Sequence, residues 1–590
     1  MLAVPKKWLS VPLLFVLGGL VTALVAVFAE RLGIDSSAGW GRGRIALLVA
    51  GILITLIAAL AWRGPNKVNA FQQGIHSFVD KLPGTGSIRK LLGDAQLLDV
   101  LRNYWPVIPL CLLVVLIYVW LVSSGTWTAW VSPTRYYADL ARGFQQGHLY
   151  LPIKVNPALL TSPDPYEPLP SGATQAPIDY AYYQGRYYLP WGPVPALIVL
   201  SVRGFFHRWL GDLQLTFGFI CGLLLVQCLI AVLLWQRYFR SLPKWTLWMA
   251  VLLIGFAGPS PFMLNNYLAA RIYEAAVTGG QFFLMAGLLM ALVALGPPRR
   301  EWALGFAGAF WALAIGTRLD LVLPIGVMVL MLSGWILRIN GLPSRSIKAV
   351  ALLFVPLGLG GALIGWYNWA RFGNVLETGY FYQLAGLNLH KHWNERFSAA
   401  YVLPNLHAYV INPIHWKSVF PFVDVSPANG TGHVSFLPAV PDFYFSQIIT
   451  GLLWLAPFVL FAVVPWARIL ASRIHGQHPG ASAEHEPPRF LDWIQLTLSA
   501  SSLITFIFLL LYFWAAMRFL EDFLPSLLLL SILGFWAGYE SLRQNSTRRQ
   551  IYSALGIFLA AASISISTLA AISINHARFG VISLLGVFSR

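Results

Sequence analysis

Hydrophobic residues occur along this chain in long, nearly uninterrupted runs rather than at alternating or helical spacing. A helix needs about 20 mostly apolar residues to cross the hydrocarbon core of a bilayer. By that measure the sequence predicts an all-α polytopic membrane protein with about 13 transmembrane helices. The predicted spans run near residues 11–29, 45–62, 105–123, 213–236, 245–263, 276–296, 303–317, 321–338, 349–368, 449–466, 494–513, 524–540 and 551–574.

The composition excludes a water-soluble protein. Of the 590 residues, 57% are hydrophobic and only 11% are charged, whereas a soluble domain carries about 25% charged residues. The net charge of +17 would suggest nucleic acid as a partner of a soluble protein. In a membrane protein it indicates basic residues kept on the cytoplasmic side, and we expect no nucleic-acid partner.

The distribution of basic residues predicts the orientation. We expect the apolar stretch 191–206 to lie at the membrane without crossing it. The 40 Lys and Arg residues then divide into 22 inside and 18 outside, and ten of the outside residues lie in two loops too long for the positive-inside rule to apply. This predicts a cytoplasmic N-terminus, with the first run read as an uncleaved anchor, in the inner membrane of a bacterium.

Two long hydrophilic stretches fall on the extracytoplasmic side in this topology. They are residues 124–212, the first large loop, and residues 369–448, the second large loop. We expect them to fold together over one cavity at the outer leaflet. The chain is thus divided into two extra spans and a linker (1–104), a core with both loops (105–466), and a C-terminal loop with three spans (467–590).

The first large loop begins with a predicted amphipathic helix. Tyr136 starts its apolar spacing and Gly147 stops it. Asp139 lies in this helix with Arg135 and Arg142 four and three residues away, which is typical of a surface ion-pair ladder but also suits a functional carboxylate. No His/Cys cluster marks a metal site, and His390 and His392 are interpreted as surface residues.

A tyrosine-rich run follows Asp179 and includes Tyr187 and Tyr188. These rings suit an aromatic wall for a sugar. They equally suit the belt of aromatic residues found at membrane interfaces.

Four predicted helix ends on the extracytoplasmic side each pair an arginine with a carboxylate. Each pair alone is consistent with a local anchor of a helix end, but ionisable groups at membrane depth indicate function by default. Guanidinium groups bind phosphate bidentately, and a carboxylate can deprotonate an attacking hydroxyl. The pairs are Arg271 with Glu274, Arg318 with Asp320, Arg371 with Glu377, and Arg518 with Glu521 and Asp522.

Over about residues 105–466 the chain resembles the GT-C superfamily of integral-membrane glycosyltransferases, which includes protein O-mannosyltransferases and aminoarabinose transferases. The resemblance is carried by RYYADLARGFQQGHLYL after the first core span, by LPWGPVPAL before the next span, and by Ser260-Pro261 with Glu274 downstream. A second large loop after the seventh core span completes the pattern. Members usually carry an acidic residue shortly before the tyrosine, but residues 130–134 here contain none.

The resemblance implies an inverting, carboxylate-assisted transfer of a sugar from a polyprenyl-phosphate carrier to an extracytoplasmic glycan, lipid or protein, without a cofactor. Either Asp139, Asp179 or Glu274 replaces the missing acidic residue, or the chain has lost transferase activity. An O-antigen-type polymerase or ligase and a transporter of lipid-linked sugars stay open as alternatives. The predicted substrate-binding residues are Arg271, Arg318, Arg371, Arg518, Glu377, Tyr187 and Tyr188, and the predicted catalytic residues are Asp139, Glu274 and Asp179.

Overall fold

The structure, a computed structural model, describes residues 107–125, 127, 130, 132–167, 179–264, 272–296, 299–340, 344–425, 442–474 and 489–575, with a few positions before residue 56. The predicted spans 11–29 and 45–62 lie mostly outside the described residues. The chain divides into two compact units, one of residues 1–130 with 577–590 and the other of residues 131–576. Within the first unit, helix α1 covers Val107–Val122.

Helices dominate the second unit, in the order expected from the apolar runs. They are α2 Tyr136–Gln145, α3 Pro157–Thr161, α4 Val194–Phe206, α5 Asp212–Tyr238, α6 Trp245–Phe256, α7 Ser260–Met263, α8 Ile272–Leu295, α9 Trp302–Ile315, α10 Val322–Asn340, α11 Ser344–Phe372, α12 Val402–Leu406, α13 Leu452–Leu455, α14 Val463–Ile474, α15 Arg489–Leu511, α16 Leu524–Ser541 and α17 Ser546–Asn575. Three small sheets pair β1 Ala181–Tyr183 with β2 Arg186–Tyr188, β3 His415–Trp416 with β4 Val423–Asp424, and β5 Phe445–Ser446 with β6 Trp514–Ala515.

Seven helical segments of the described residues are long and apolar enough to cross a membrane, one of them formed by α6 together with α7. The prediction of a polytopic helical membrane protein is confirmed, while the count of 13 spans stays a prediction. The seven are Asp212–Tyr238, Trp245–Met263, Ile272–Leu295, Leu319–Arg338, Ser346–Phe372, Phe490–Leu511 and Ser546–Ile574.

Two predicted spans are not single continuous helices. In 245–263 the helix is interrupted at Gly258, which has a φ of 117° and precedes Pro259. In 449–466 it is interrupted at Ala456, whose φ and ψ are −142° and 62°, directly before Pro457. Proline lacks a backbone N–H and disfavours helical conformation in the residue before it, so the apolar run continues while the helix does not.

The predicted helix at the start of the first large loop is confirmed as α2. It ends at Gln145, and Gly147 follows with a φ of 78°. A positive φ strains residues with a Cβ, so this glycine permits the chain to turn away. The helix packs on α4.

The two large loops contact each other directly, as expected, and the cavity between them at the outer leaflet stays a prediction. Leu384 donates its N–H to Tyr180 O at 2.8 Å, and the N–H of Asp179 donates to Leu384 O at the same distance. A side-chain contact adds to this junction, because Asn388 Nδ2 donates to Asp164 Oδ2 at 3.0 Å. Both loops therefore lie on one face of the helical bundle, the loop-bearing face.

This shared face determines the parity of the crossings between the loops. Six helical segments, α5, α6 with α7, and α8 to α11, follow α4 before the second loop begins. If all six cross, they return the chain to its starting face only when α4 does not cross. The helices α4 and α9 have 13 and 14 residues, and both are shorter than the spans of the bundle. That 191–206 does not cross therefore stays a prediction.

Candidate functional site

Asp179 lies at the junction between the two loops, next to the start of α8. Its φ of 71° is unusual for a residue with a side chain. The backbone hydrogen bonds to Leu384 hold this conformation, and the isolated bridge between Ala181 and Gln383 extends the pairing. The carboxylate is consequently turned toward the start of α8.

Asp179 is 7% exposed and accepts two side-chain hydrogen bonds at Oδ1. The Tyr273 hydroxyl donates at 2.7 Å and Gln383 Nε2 donates at 3.1 Å. Burial raises the pKa of Asp179, and the Glu274 carboxylate raises it further, whereas the two hydrogen bonds and the Arg518 charge lower it. The result is a carboxylate of increased basicity that is already oriented through one oxygen.

Arg518 packs against the Tyr273 ring. Its guanidinium carbon lies 4.4 Å from the ring centroid, and its Nη1 donates to Gln447 Oε1. The side chain is only 6% exposed, yet Nε and Nη2 have no hydrogen-bond partner among the described residues. Buried charged donors without partners are costly, so this guanidinium has the capacity to bind an anion.

Further buried polar atoms around the same ring are also free to bind. Glu274, in the first turn of α8, is 3% exposed and its Oε2 has no partner among the described residues. The same holds for Gln383 Oε1 and Trp514 Nε1, and the Trp514 ring lies 5.8 Å from that of Tyr273. Donors and acceptors are thus mixed around one aromatic ring, as a polyhydroxylated ligand would require. We call Asp179, Tyr273, Glu274, Gln383, Trp514 and Arg518 the Tyr273 cluster.

Arg318 belongs to an ion-pair network next to this cluster. Its Nε donates to both Asp320 oxygens at 2.8 Å, and its Nη2 donates to Asp522 Oδ2 at 2.7 Å. Burial raises the pKa of Asp522, and the charges of Arg318 and Arg518 lower it. Two of the predicted arginines are therefore brought to one carboxylate, but Arg318 already has carboxylate partners.

Arg371 connects the two large loops. Its Nη1 donates to Leu189 O at 2.7 Å in the first loop, and its Nη2 donates to Asn368 Oδ1 at 2.8 Å and to Thr378 O at 3.3 Å. The Nε donates to Tyr367 O at 3.3 Å. These partners give Arg371 a structural function, and its predicted role in substrate binding stays a prediction. Arg271 lies outside the described residues.

The other predicted binding residues also serve the packing of the loops. Tyr187 is fully buried, and its hydroxyl accepts the N–H of Asn156 at 3.1 Å. Tyr188 is buried as well, and Glu377 Oε1 accepts the N–H of Gly379 at 2.7 Å. The tyrosine-rich run is thus packed in the interior of the loops, and its contact with a sugar stays a prediction.

Asp139 is paired locally. Its Oδ1 accepts from Arg142 Nη1 at 2.8 Å, one helical turn away, and both side chains are partly exposed. Burial raises the pKa of Asp139, while Arg142 and Arg135 lower it. This geometry matches the ion-pair ladder, and none of its hydrogen bonds joins Asp139 to the Tyr273 cluster within the described part of the chain.

Asp212, which sequence reasoning missed, caps the N-terminus of α2. Its Oδ2 accepts the N–H of Tyr136 at 2.9 Å and its Oδ1 accepts that of Tyr137 at 3.2 Å. In return, Ser132 Oγ accepts the N–H of Leu213 at 3.1 Å. The sequence has no acidic residue just before α2, but the fold brings the Asp212 carboxylate there from the start of α5. The sequence signal was only an acidic residue at the head of an apolar run.

Sequence reasoning also missed Tyr273, Gln383, Gln447 and Trp514. Tyrosine and tryptophan are common at membrane interfaces and a glutamine in a loop carries no distinctive signal, so only the fold brings these residues to Asp179 and Arg518. Among the described residues, no group of three or more His, Cys, Asp or Glu side chains could hold a metal ion.

No family model matches the chain, and neither does any curated protein. Among solved structures it is similar to the Archaeoglobus fulgidus oligosaccharyltransferase in the apo form, with 16% identity and a TM-score of 0.42 over 81% of this chain and 56% of that one. The same archaeal protein in complex with an inhibitory peptide and a dolichol-phosphate gives 14% identity and a TM-score of 0.41 over 80% and 56%. ArnT from Cupriavidus metallidurans bound to undecaprenyl phosphate gives 13% and 0.36 over 82% and 77%.

The chain spans 56% of the length of the archaeal protein.

Proposed function

We propose that this protein is a membrane glycosyltransferase that moves a sugar from a polyprenyl-phosphate carrier to an acceptor hydroxyl. The observation that carries this proposal is the Tyr273 cluster. It combines a buried carboxylate of raised basicity, Asp179, with a buried guanidinium, Arg518, that has two free donors. Acceptor activation and phosphate binding are the two tasks that such a transfer requires.

The chemistry follows from the two groups. Arg518 Nε and Nη2 bind the phosphate oxygens of the donor and stabilise the negative charge that develops as the bond between the sugar carbon and the phosphate oxygen breaks. Asp179 accepts the proton of the acceptor hydroxyl as its oxygen forms the new bond to that carbon. Polyprenyl phosphate leaves. An attack from the side opposite the phosphate inverts the configuration at the sugar carbon.

The position of the cluster favours a lipid-linked donor. Glu274 is in the first turn of the span α8, and Arg518 lies in the short connection between α15 and α16. Both are at the ends of membrane helices, which is the depth at which a membrane-anchored carrier presents its phosphate.

The opposite face of the bundle is rich in basic residues, which supports an extracytoplasmic loop-bearing face. The connection after α5 meets the end of α16 there, where Ser241 Oγ donates to Glu540 Oε1 at 3.1 Å. By the positive-inside rule this end is cytoplasmic, in the inner membrane of a bacterium. The basic residues at this end include Arg237, Arg240, Lys244, Arg299, Arg300, Arg338, Arg543, Arg548 and Arg549.

The test is turnover by the full chain, purified and reconstituted in nanodiscs. A panel of polyprenyl-phosphate sugars is offered with glycan, lipid and peptide acceptors, and release of polyprenyl phosphate is followed by mass spectrometry. We expect turnover with at least one donor, and its loss in Asp179→Asn. Asp442→Asn is the matched control, since Asp442 is an exposed carboxylate of the second large loop.

The panel also distinguishes the alternatives. Turnover only with polyprenyl-diphosphate glycans would instead favour a polymerase or ligase. Binding of a donor without turnover of any kind would overturn the enzymatic proposal.

A further inference from the structure

One segment of the second large loop, residues 402–424, follows the ends of several membrane helices. Its first helix, α12, covers the C-terminus of α15. There Asn405 Nδ2 donates to Leu509 O at 3.0 Å and to Leu510 O at 3.1 Å, satisfying carbonyls that the helix leaves free. This places α12 at the C-terminal end of α15, on the loop-bearing face.

Two further contacts attach the same segment to this face. Trp454 Nε1, in α13, donates to Ile411 O at 3.0 Å, just before the apolar segment that continues into α14. The hairpin β3–β4 lies against the last turn of α17, where Ser573 Oγ donates to Asp424 Oδ1 at 3.5 Å. Residues 402–424 are thus held along the ends of helices rather than above them.

The outward side of this segment is apolar. Trp416 is 61% exposed, Val419 is 71% exposed and Phe422 is 43% exposed, all in the hairpin β3–β4 or its turn. The hairpin's lysine, Lys417, is paired with Asp424 at 2.6 Å. The inward side is well packed, since Val423 is fully buried. The exposure of the large side chains is therefore not a sign of a loosely folded hairpin.

The lipid-facing side of the helices leads up to this surface. Leu503 and Ile507 of α15 are exposed on the bundle. Ile507 lies a few residues before the carbonyls that Asn405 caps. Both apolar surfaces, the one on the spans and the one at their ends, suit contact with the lipid bilayer.

We propose that residues 402–424 form an interfacial belt that inserts Trp416, Val419 and Phe422 between the lipid headgroups. The partner is the lipid bilayer itself. Tryptophan and phenylalanine partition to this region, and the ion pair of Lys417 reduces the charge that is carried to it. The belt is independent of the proposed transferase activity, because it uses none of the residues of the Tyr273 cluster.

The experiment measures lipid contact directly. Cys111, Cys221 and Cys228 are replaced by alanine in the full chain, and Val419→Cys is labelled with the polarity-sensitive fluorophore NBD. The labelled protein is placed in phosphatidylcholine nanodiscs with and without lipids that carry a nitroxide near the headgroup. Trp416→Cys is a second probe position. Lys391→Cys is the matched control, because the structure attaches Lys391 to the first loop through Asp164 and Glu167.

We expect the probe at residue 419 to emit at shorter wavelength than the probe at residue 391, and nitroxide lipids to quench it at least threefold more. Equal quenching at the two positions would overturn the proposal. So would a short-wavelength emission at residue 419 that nitroxide lipids leave unchanged, because protein and not lipid would then cover the hairpin.

Discussion

The hydroxyl of Tyr273 donates a 2.7 Å hydrogen bond to Asp179 Oδ1. It joins the first turn of a membrane helix to the first large loop, 94 residues earlier in the chain. Because the bond favours the ionised form of the carboxyl, it limits how far burial raises the pKa of Asp179. The same phenol ring stacks against the Arg518 guanidinium. Tyr273 therefore acts on both charged groups of the proposed site.

Replacing Tyr273 by phenylalanine is expected to shift the pH dependence of transfer. Loss of the hydrogen bond disfavours the carboxylate, so the pKa of Asp179 rises further. The acid limb of the kcat/KM profile then moves to higher pH, since a base acts only when deprotonated. Tyr401→Phe is the control, because its hydroxyl donates to a backbone carbonyl, Glu395 O. An acid limb that stays in place in Tyr273→Phe would separate Asp179 from the rate.

Replacing Asp179 by asparagine is expected to lower kcat by about 10²–10⁴-fold, the usual contribution of a positioned base. Binding of polyprenyl phosphate and the thermal unfolding midpoint should change little, because asparagine keeps the size of the side chain. Initial-rate assays measure kcat, a lipid-binding assay on the same nanodiscs measures polyprenyl-phosphate binding, and thermal unfolding gives the midpoint. A variant with full activity would remove Asp179 from the mechanism.

Arg518→Lys is expected to weaken donor binding, whereas Arg371→Lys is expected to lower the stability of the fold. A bidentate, charge-assisted contact contributes roughly 1.5–3 kcal/mol, so Arg518→Lys should weaken donor binding about ten- to a hundredfold with little loss of stability. Arg371→Lys removes hydrogen bonds between the loops and should lower the unfolding midpoint, at a cost of roughly 3 kcal/mol. Donor titrations and thermal unfolding of both variants separate the two roles. The reverse pattern would assign the phosphate to Arg371.

Asp139→Asn and Asp212→Asn compare two carboxylates that contact the same helix, α2. A partly exposed ion pair contributes about 1 kcal/mol or less, so Asp139→Asn is expected to retain both stability and transfer. Asp212 caps two backbone N–H groups with its two oxygens in a fully buried position. Asparagine has only one acceptor oxygen, so one buried N–H loses its partner in Asp212→Asn, at an expected cost of about 1–3 kcal/mol. Abolished transfer in Asp139→Asn, with the fold intact, would make Asp139 the catalytic carboxylate instead.

Glu521 is expected to make stability depend on pH. Burial raises its pKa from 4.5 to about 7 in the folded chain, against a hydrogen bond from Ser260 that lowers it. Because the pKa of Glu521 is higher in the folded chain than in the unfolded chain, its protonated form stabilises the fold below about pH 4.5. This contribution to the free energy of unfolding is lost as the pH rises toward 7. Glu521→Gln should flatten this part of the profile of unfolding midpoint against pH. A slope identical to that of the unmodified chain would show that Glu521 does not titrate in this way.

Much of the helical architecture could be predicted from the sequence because lipid imposes a simple pattern. Apolar runs such as 551–574 and the periodicity after Tyr136 each gave a helix that the structure contains. The interruptions at Gly258 and Ala456 could not be predicted from apolar content, because backbone conformation decides them. In both places a proline follows the break, and its effect on the preceding residue was the signal available.

The candidate site was predictable only in its charged members. Glu274 and Arg518 stand out as ionisable groups near the ends of apolar runs, and Asp179 as an acid before a tyrosine-rich run, whereas Tyr273 and Gln383 do not. Nor does the sequence distinguish Arg518 from Arg371, since each is an arginine at a helix end. The difference lies in which carbonyl groups the fold brings to Arg371, and those contacts are between segments distant in the chain.

The cap that Asp212 provides for α2 has a consequence for biosynthesis. A ten-residue helix is marginal on its own in water, and its capping carboxylate is 76 positions downstream of Tyr136. While the ribosome is still translating the first large loop, that loop lacks the group that stabilises its first helix. The helix α2 therefore gains this cap only once residue 212 has been synthesised, so its stability depends on the start of the next span.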